Sequence, residues 1–110
     1  MQRNLRAPLE EPFVQFMVLT RRSPAFADSA YTPARLEQEA QVVRGLYLEG
    51  AIRQIWHRGD AGGACMLMEG HSEDEIRRFL ELLPLFAAGM QEVMTMVPLL
   101  PYRGFGPHRG

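Results

Sequence analysis

Glu39 places a carboxylate on the apolar side of a helix, and this is the position in the chain most able to do chemistry. Between Pro33 and Glu49, the residues Leu36, Ala40, Val43, Leu46 and Tyr47 recur at helical spacing. At roughly 100° per residue they fall on one arc. Glu39 projects into that arc between Leu46 and Val43, and no other charged side chain of the segment does. An ion on an apolar face costs free energy unless it is paired or neutralised, and burial raises a carboxyl pKa toward the working pH. Such a group can take a proton and return it. The competing reading is an exposed residue paired with Arg35 four positions earlier. The angular position argues against it, and so does the second helix, whose apolar arc contains no acid.

Other residues could act with Glu39. Arg53 alternates with Ile55 and His57 along a strand, so the three are expected on one face. An arginine there can grip a substrate carboxylate, or bridge to an acid on another subunit. His57 can carry a proton near neutral pH, or simply face solvent. Trp56 is expected on the opposite face with Ile52 and Gln54, as core packing or as a platform for a ring. Tyr31 and Phe26 lie in a long loop, Arg21 to Tyr31, of a kind that can close over a site. Cys65, in an apolar strand, reads as an inert buried thiol. No His, Cys or acidic residues show metal-ligand spacing, so no metal is expected.

The elements that must position these groups follow from the pattern. Phe13 to Thr20 reads as a strand. Thr32 caps a helix with Pro33 at its first position, and Gly50 stops it after Glu49. Ala51 to Arg58 and Ala64 to Glu69 form a hairpin around the turn Gly59 to Gly63. Ser72 with Glu75 is a capping box. The helix it opens buries Ile76, Phe79, Leu80 and Leu83 and ends at Pro84. Met90 to Val97 is a last strand. The order β-α-β-β-α-β predicts an α+β, ferredoxin-like split-βαβ fold: a four-stranded antiparallel sheet with two helices on one face. Residues 1–12 are expected to be a flexible leader, 13–98 the domain, and 99–110 a Pro/Gly-rich tail.

Both faces of the expected sheet are apolar. Phe13, Met17 and Leu19 oppose Val14, Phe16 and Val18; Met66 and Met68 oppose Cys65 and Leu67; Met94 and Met96 oppose Val93 and Val97. Two helices cover only one face. A second copy packed sheet to sheet would cover the other and enclose a space for a ligand. A homodimer, open to further assembly, is therefore expected. The apolar tail residues Leu99, Leu100, Tyr102 and Phe105 are expected to dock on a neighbouring subunit.

Bulk composition narrows the partners. The 110 residues suffice for one domain. All 12 basic residues are arginine, spread along the chain and offset by 13 acids to a net charge of −1. There is no polycationic stripe, which argues against nucleic acid. Cys65 is the only cysteine, so an intrachain disulfide is excluded and a reducing compartment is the simplest setting. No apolar run approaches the roughly 18 residues of a membrane span, and MQRNLRAPLEEP has no signal core. A cytoplasmic protein without a membrane partner is expected.

From Leu48 the chain reads LEGAIRQIWHRGD, then the third strand, then SEDEIRRFLELLPLF. Glu49-Gly50, Arg53, Trp56, the helix opening at Ser72, and Leu83-Pro84-Leu85-Phe86 resemble the muconolactone delta-isomerase family of the dimeric α+β barrel superfamily. The resemblance extends back through Glu39 and forward to about Pro98. It implies a tight dimer and a site free of metal and organic cofactor, where a carboxylate moves a carbon–carbon double bond within an unsaturated lactone acid. By that resemblance Glu39 is the catalytic carboxylate and Arg53 the grip on the substrate. The chain departs from the family at Ala61, Gly62 and Ala64, where relatives carry polar and aromatic residues, so a less polar, roomier pocket is expected. The expected function is a cofactor-independent isomerase, with Glu39 and His57 catalytic and Arg53, Trp56 and Tyr31 binding a small-molecule substrate. The alternatives are a non-catalytic small-ligand-binding barrel and a cofactor-free oxygenase, which Trp56 would serve.

Overall fold

A computed structural model describes residues 12–105. The strands are β1 (Val14–Arg22), β2 (Ile52–His57), β3 (Ala64–Gly70) and β4 (Gln91–Leu99). The helices are α1 (Pro33–Glu49), α2 (Glu73–Glu81) and α3 (Pro84–Ala87), with a 3-10 turn at Asp28–Ala30 before α1. The sheet order is β2-β3-β1-β4 with every pair antiparallel, the ferredoxin-like arrangement.

Local chemistry sets the helix ends. The Thr32 hydroxyl accepts the Arg35 N–H at 3.3 Å, and Pro33 occupies the first position of α1. Gly50 ends the helix at φ 87°, and its N–H reaches the Leu46 and Tyr47 carbonyls. The Ser72 hydroxyl accepts the Glu75 N–H at 3.2 Å. The Glu75 carboxylate in turn accepts the His71 N–H at 2.7 Å, one residue before the cap. Pro84 does not end this helix. The turn breaks three residues earlier, after Glu81, and Pro84 opens α3 at its first position, where a missing N–H and a fixed φ are no handicap.

The core lies between the helices and one face of the sheet. Phe16 and Val18 of β1, Ile52 of β2 and Met66 and Met68 of β3 pack against Leu46, Ile76, Leu80 and Leu83. Helix α1 is rotated from its expected setting. Val42 packs on the core, while Tyr47 is 58% exposed. The buried arc centres nearer Leu46 and Glu39, because Leu46 is the residue seated in the core. The opposite face carries the register pairs Met17–Leu67, Met17–Val97 and Leu19–Cys65 with no helix over it among the described residues.

Two strand pairs depart from simple alternation: β1 with β4, whose register shifts between Leu19 and Thr20 so that Val93 and Met96, expected on opposite faces, both pack on the core, and β2 with β3. A bulge in β2 between Ile52 and Gln54 breaks parity at Arg53, so Ile52 joins Ile55 on the helix-facing side instead of Trp56. Strand β1 runs two residues past Thr20, because β4 extends to pair Arg21 with Glu92 and Arg22 with Gln91. An Arg21–Glu92 ion pair at 2.8 Å accompanies that extension.

The hairpin turn is clasped to the end of β1. The Thr20 hydroxyl accepts the Ala64 N–H at 2.9 Å. Arg58 donates to the Thr20 carbonyl at 3.2 Å and forks onto Asp60 at 2.9 and 2.8 Å. The Asp60 carboxyl is held below its usual range mainly by that hydrogen bond from Arg58. Gly63 makes the approach possible at φ 129°, where a Cβ would collide with the Thr20 carbonyl oxygen.

The expected leader, residues 1–12, lies outside the described residues but for Pro12. Of the tail, Leu100, Tyr102 and Phe105 are exposed, and residues 106–110 lie outside the described residues. No helix among the described residues is long and apolar enough to cross a membrane.

Substitution of Gly63 by Ala is expected to lower thermal stability by about 1–3 kcal/mol, the usual cost of a side chain forced into such a conformation. Gly59 has open space around its would-be Cβ. Gly59→Ala should therefore stay within about 0.5 kcal/mol of wild type. Thermal unfolding of the two variants side by side checks the contrast.

Candidate functional site

The cavity lies where α1 stands off the sheet, on the helix-covered side and not on the open face. Its volume is about 400 Å³, within the range of small-molecule sites. Leu36, Ala40 and Val43 of α1 form one wall, and Ile55 and Met66 form the floor. Leu83, Leu85 and Phe86, around α3, close one end. The polar groups in this apolar lining are few: Glu39 from the helix, and Thr20, Arg22, His57 and Gln91 from the strands. Leu36, 40% exposed, borders this open space.

Glu39 is half-buried, and its Oε1 accepts the Leu85 N–H at 2.8 Å. The bond has a local reason. Leu85 is the second residue of α3, Pro84 before it has no N–H, and Leu83 supplies no side-chain cap. The carboxylate on α1 therefore caps α3 from another element. Burial pushes the Glu39 carboxyl up from its ordinary value, and the Leu85 hydrogen bond partly opposes that shift. The result is a carboxyl with one fixed oxygen, set into an apolar wall.

The structure brings some of the sequence-derived candidates together and not others. His57 and Trp56 line the cavity with Glu39. Trp56 pairs with Cys65 and is 48% exposed, at the margin. Arg53 is exposed, sits in the β2 bulge and is not among the lining residues. Tyr31 is buried beside the site and does not line it. Its hydroxyl donates to the Met90 carbonyl at 2.6 Å. Phe26 is 39% exposed, also outside the lining. The Cys65 thiol is 3.1 Å from the Met17 sulfur on the far side of the sheet. Ala64 and Gly63 both border the cavity, so the hairpin contributes little side-chain bulk there.

Three lining residues escaped sequence reasoning: Thr20, Arg22 and Gln91. Strand parity was the available signal for Arg22, since it alternates with Thr20 and Val18, but that signal requires β1 to continue through Arg21. Gln91 follows from the same extension, being its register partner.

The direction of the Glu39 shift sets a stability profile. A raised carboxyl pKa means that the fold favours the protonated form. That contribution is present below the unfolded pKa and is lost as pH rises through the folded value. Glu39→Gln keeps an oxygen for the Leu85 N–H and removes the charge. Its melting temperature should exceed wild type by a few degrees at neutral pH, with the gap closing toward pH 4. A constant gap across pH would contradict the burial of the charge.

No protein-family model matches the chain, and no curated protein matches it by sequence. Its fold is similar to that of 5-chloro-2-hydroxyhydroquinone dehydrochlorinase (TftG) from Burkholderia phenoliruptrix AC1100, solved in complex with 2,5-dihydroxybenzoquinone. The TM-score is 0.53 and the identity 20%, over 82% of this chain and 95% of that one. At this identity the likeness is one of fold.

Proposed function

We propose that this chain is a cofactor-independent isomerase. It would shift a carbon–carbon double bond in a small unsaturated lactone or cyclic acid of the kind met in the breakdown of aromatic compounds. One observation carries the reading: a carboxyl of raised pKa stands in the wall of an apolar cavity of small-molecule size. In the reaction, the Glu39 carboxylate removes a proton from a carbon conjugated to the substrate carbonyl. The C–H electron pair passes into the conjugated system and leaves a dienolate facing a neutral carboxylic acid. The acid then returns its proton to the far carbon of the allylic unit. Atoms and charge balance without a co-reactant. His57, bordering the same cavity, is placed to carry the proton if the two carbons lie too far apart for one group. The fold neighbour, named as a dehydrochlorinase and solved with a quinone, supports a small-ring ligand.

A second reading has its own observation. The Leu85 bond gives Glu39 a structural task, which a ligand-binding barrel without chemistry would also need. An ultraviolet assay of muconolactone isomerisation separates the two. Under the isomerase reading wild type turns over, and Glu39→Gln loses at least about 100-fold in kcat while folding and binding normally. Binding of muconolactone with no turnover by wild type would favour the second reading.

We further infer that the chain works as a homodimer, with the open sheet face as the contact and the exposed Leu100, Tyr102 and Phe105 reaching the neighbouring copy. Light scattering should then give twice the chain mass. Truncation after Pro98 should weaken the assembly measurably on dilution, and an unchanged dimer would remove the tail from the interface.

A further inference from the structure

One cation in the cavity has no role in the reaction just described. We propose that Arg22 receives the anionic group of the ligand, a carboxylate or ionised phenolic oxygen on a small ring, and thereby sets which molecules the cavity accepts. This rests on the cavity being a small-molecule site, as above, but not on any turnover there.

The Arg22 side chain is held in place. As the partner of Gln91 in the extended β1–β4 register it falls on the same side of the sheet as Thr20. Its stem runs past Gly62, where even a Cβ would stand 2.7 Å from the Arg22 Cδ. Its guanidinium lies 4.2 Å over the centre of the Tyr31 ring. That ring is itself fixed, 6% exposed and bonded through its hydroxyl to Met90. A planar cation lodged between a glycine and a pinned aromatic ring is oriented before any ligand arrives.

Its donors are nonetheless unspent. A guanidinium has five N–H groups, and among the described residues that of Arg22 donates no side-chain hydrogen bond. Its ionic partner is Asp28 at 3.8 Å, whose side chain is 95% exposed, and a contact so long and so wet is worth little. The neighbouring arginines are committed: Arg21 to Glu92, and Arg58 to Asp60 and the Thr20 carbonyl. Arg53 is outside the cavity. Arg22 and Glu39 border the same space from opposite elements, and no ion pair joins them. A ring bearing an acid group fits this arrangement, with its anion on Arg22 and its body against Ala40 and Val43, while its acidic hydrogen is presented to Glu39.

The test compares two probes of equal shape, 3-hydroxybenzoate and 3-hydroxybenzamide, by isothermal titration calorimetry. Wild type should bind the acid at least tenfold more tightly than the amide, about 1.4 kcal/mol. Arg22→Gln should bind the two equally, with amide affinity unchanged, and Arg53→Gln should keep the preference. Should Arg22→Gln fail to fold, labelling of the wild-type protein with phenylglyoxal, read by peptide mass spectrometry, carries the test. The acid should shield Arg22 and leave Arg53 labelled, and the amide should shield neither. Equal binding of acid and amide by wild type, no binding of either, loss of preference in Arg53→Gln alone, or unshielded Arg22 each overturns the assignment. Turnover of muconolactone without an Arg22-dependent preference would leave the isomerase reading standing and this one fallen. An Arg22-dependent preference without turnover would do the reverse.

Discussion

The hydrogen bond from the Leu85 amide to the Glu39 carboxylate fastens α1 to the start of α3, and both residues at that junction line the cavity. The C-terminal half of α1 is anchored by Leu46 in the core. Its N-terminal half is mostly exposed and has little apolar burial to hold it near the sheet. Two polar contacts take that place: Glu39 on Leu85, and the Tyr31 hydroxyl on the Met90 carbonyl just ahead of the helix. Both reach the segment between α2 and β4. The helix therefore bridges an empty span without collapsing into it. The group that maintains the gap is also the one best placed to act within it.

This dual duty explains why the charge persists on an apolar face. A lone carboxylate in such a wall would be expensive, and an ion pair with an arginine would quench its basicity. A single backbone amide avoids both outcomes. It satisfies one oxygen and only partly offsets the effect of burial, so the carboxyl stays easier to protonate than a surface one. The cavity's opposite charge stays separate on Arg22, stacked on an aromatic ring, with only the exposed Asp28 carboxylate near it at 3.8 Å.

Much of the scaffold was legible in the sequence because its signals are local. Thr32, Pro33, Gly50 and Ser72 act within a few residues of themselves, and the hydrophobic period placed Glu39 on the inward side of its helix. The failures share a cause, namely that pairing between distant segments overrode the local pattern. The β2 bulge moved Ile52 to the face of Ile55 and left Arg53 outside, and no residue in IRQIWH announces a bulge. Pairing with β4 carried β1 through Arg21 and put Arg22 in the site. Pro84 was ambiguous from the start, since the features that end one helix also suit the first turn of the next. Tyr47 and Val42 exchanged places because an apolar arc does not say which of its edges meets the core.

The clasp between Gly63 and the Thr20 carbonyl has a consequence for how this cavity could change. Where the hairpin meets β1, the wall is made of main chain in close contact, and Gly63 has no room for a side chain. At Gly63 that side of the cavity cannot be recontoured by a side chain. The helix side can. Ala40, Val43 and Phe86 border the cavity from the helices, so their side chains can be enlarged or trimmed without touching the sheet's hydrogen bonds. A lineage built on this frame would keep Gly63 constant and explore ligand size from the helix, with Ala40 as its coarsest adjustment.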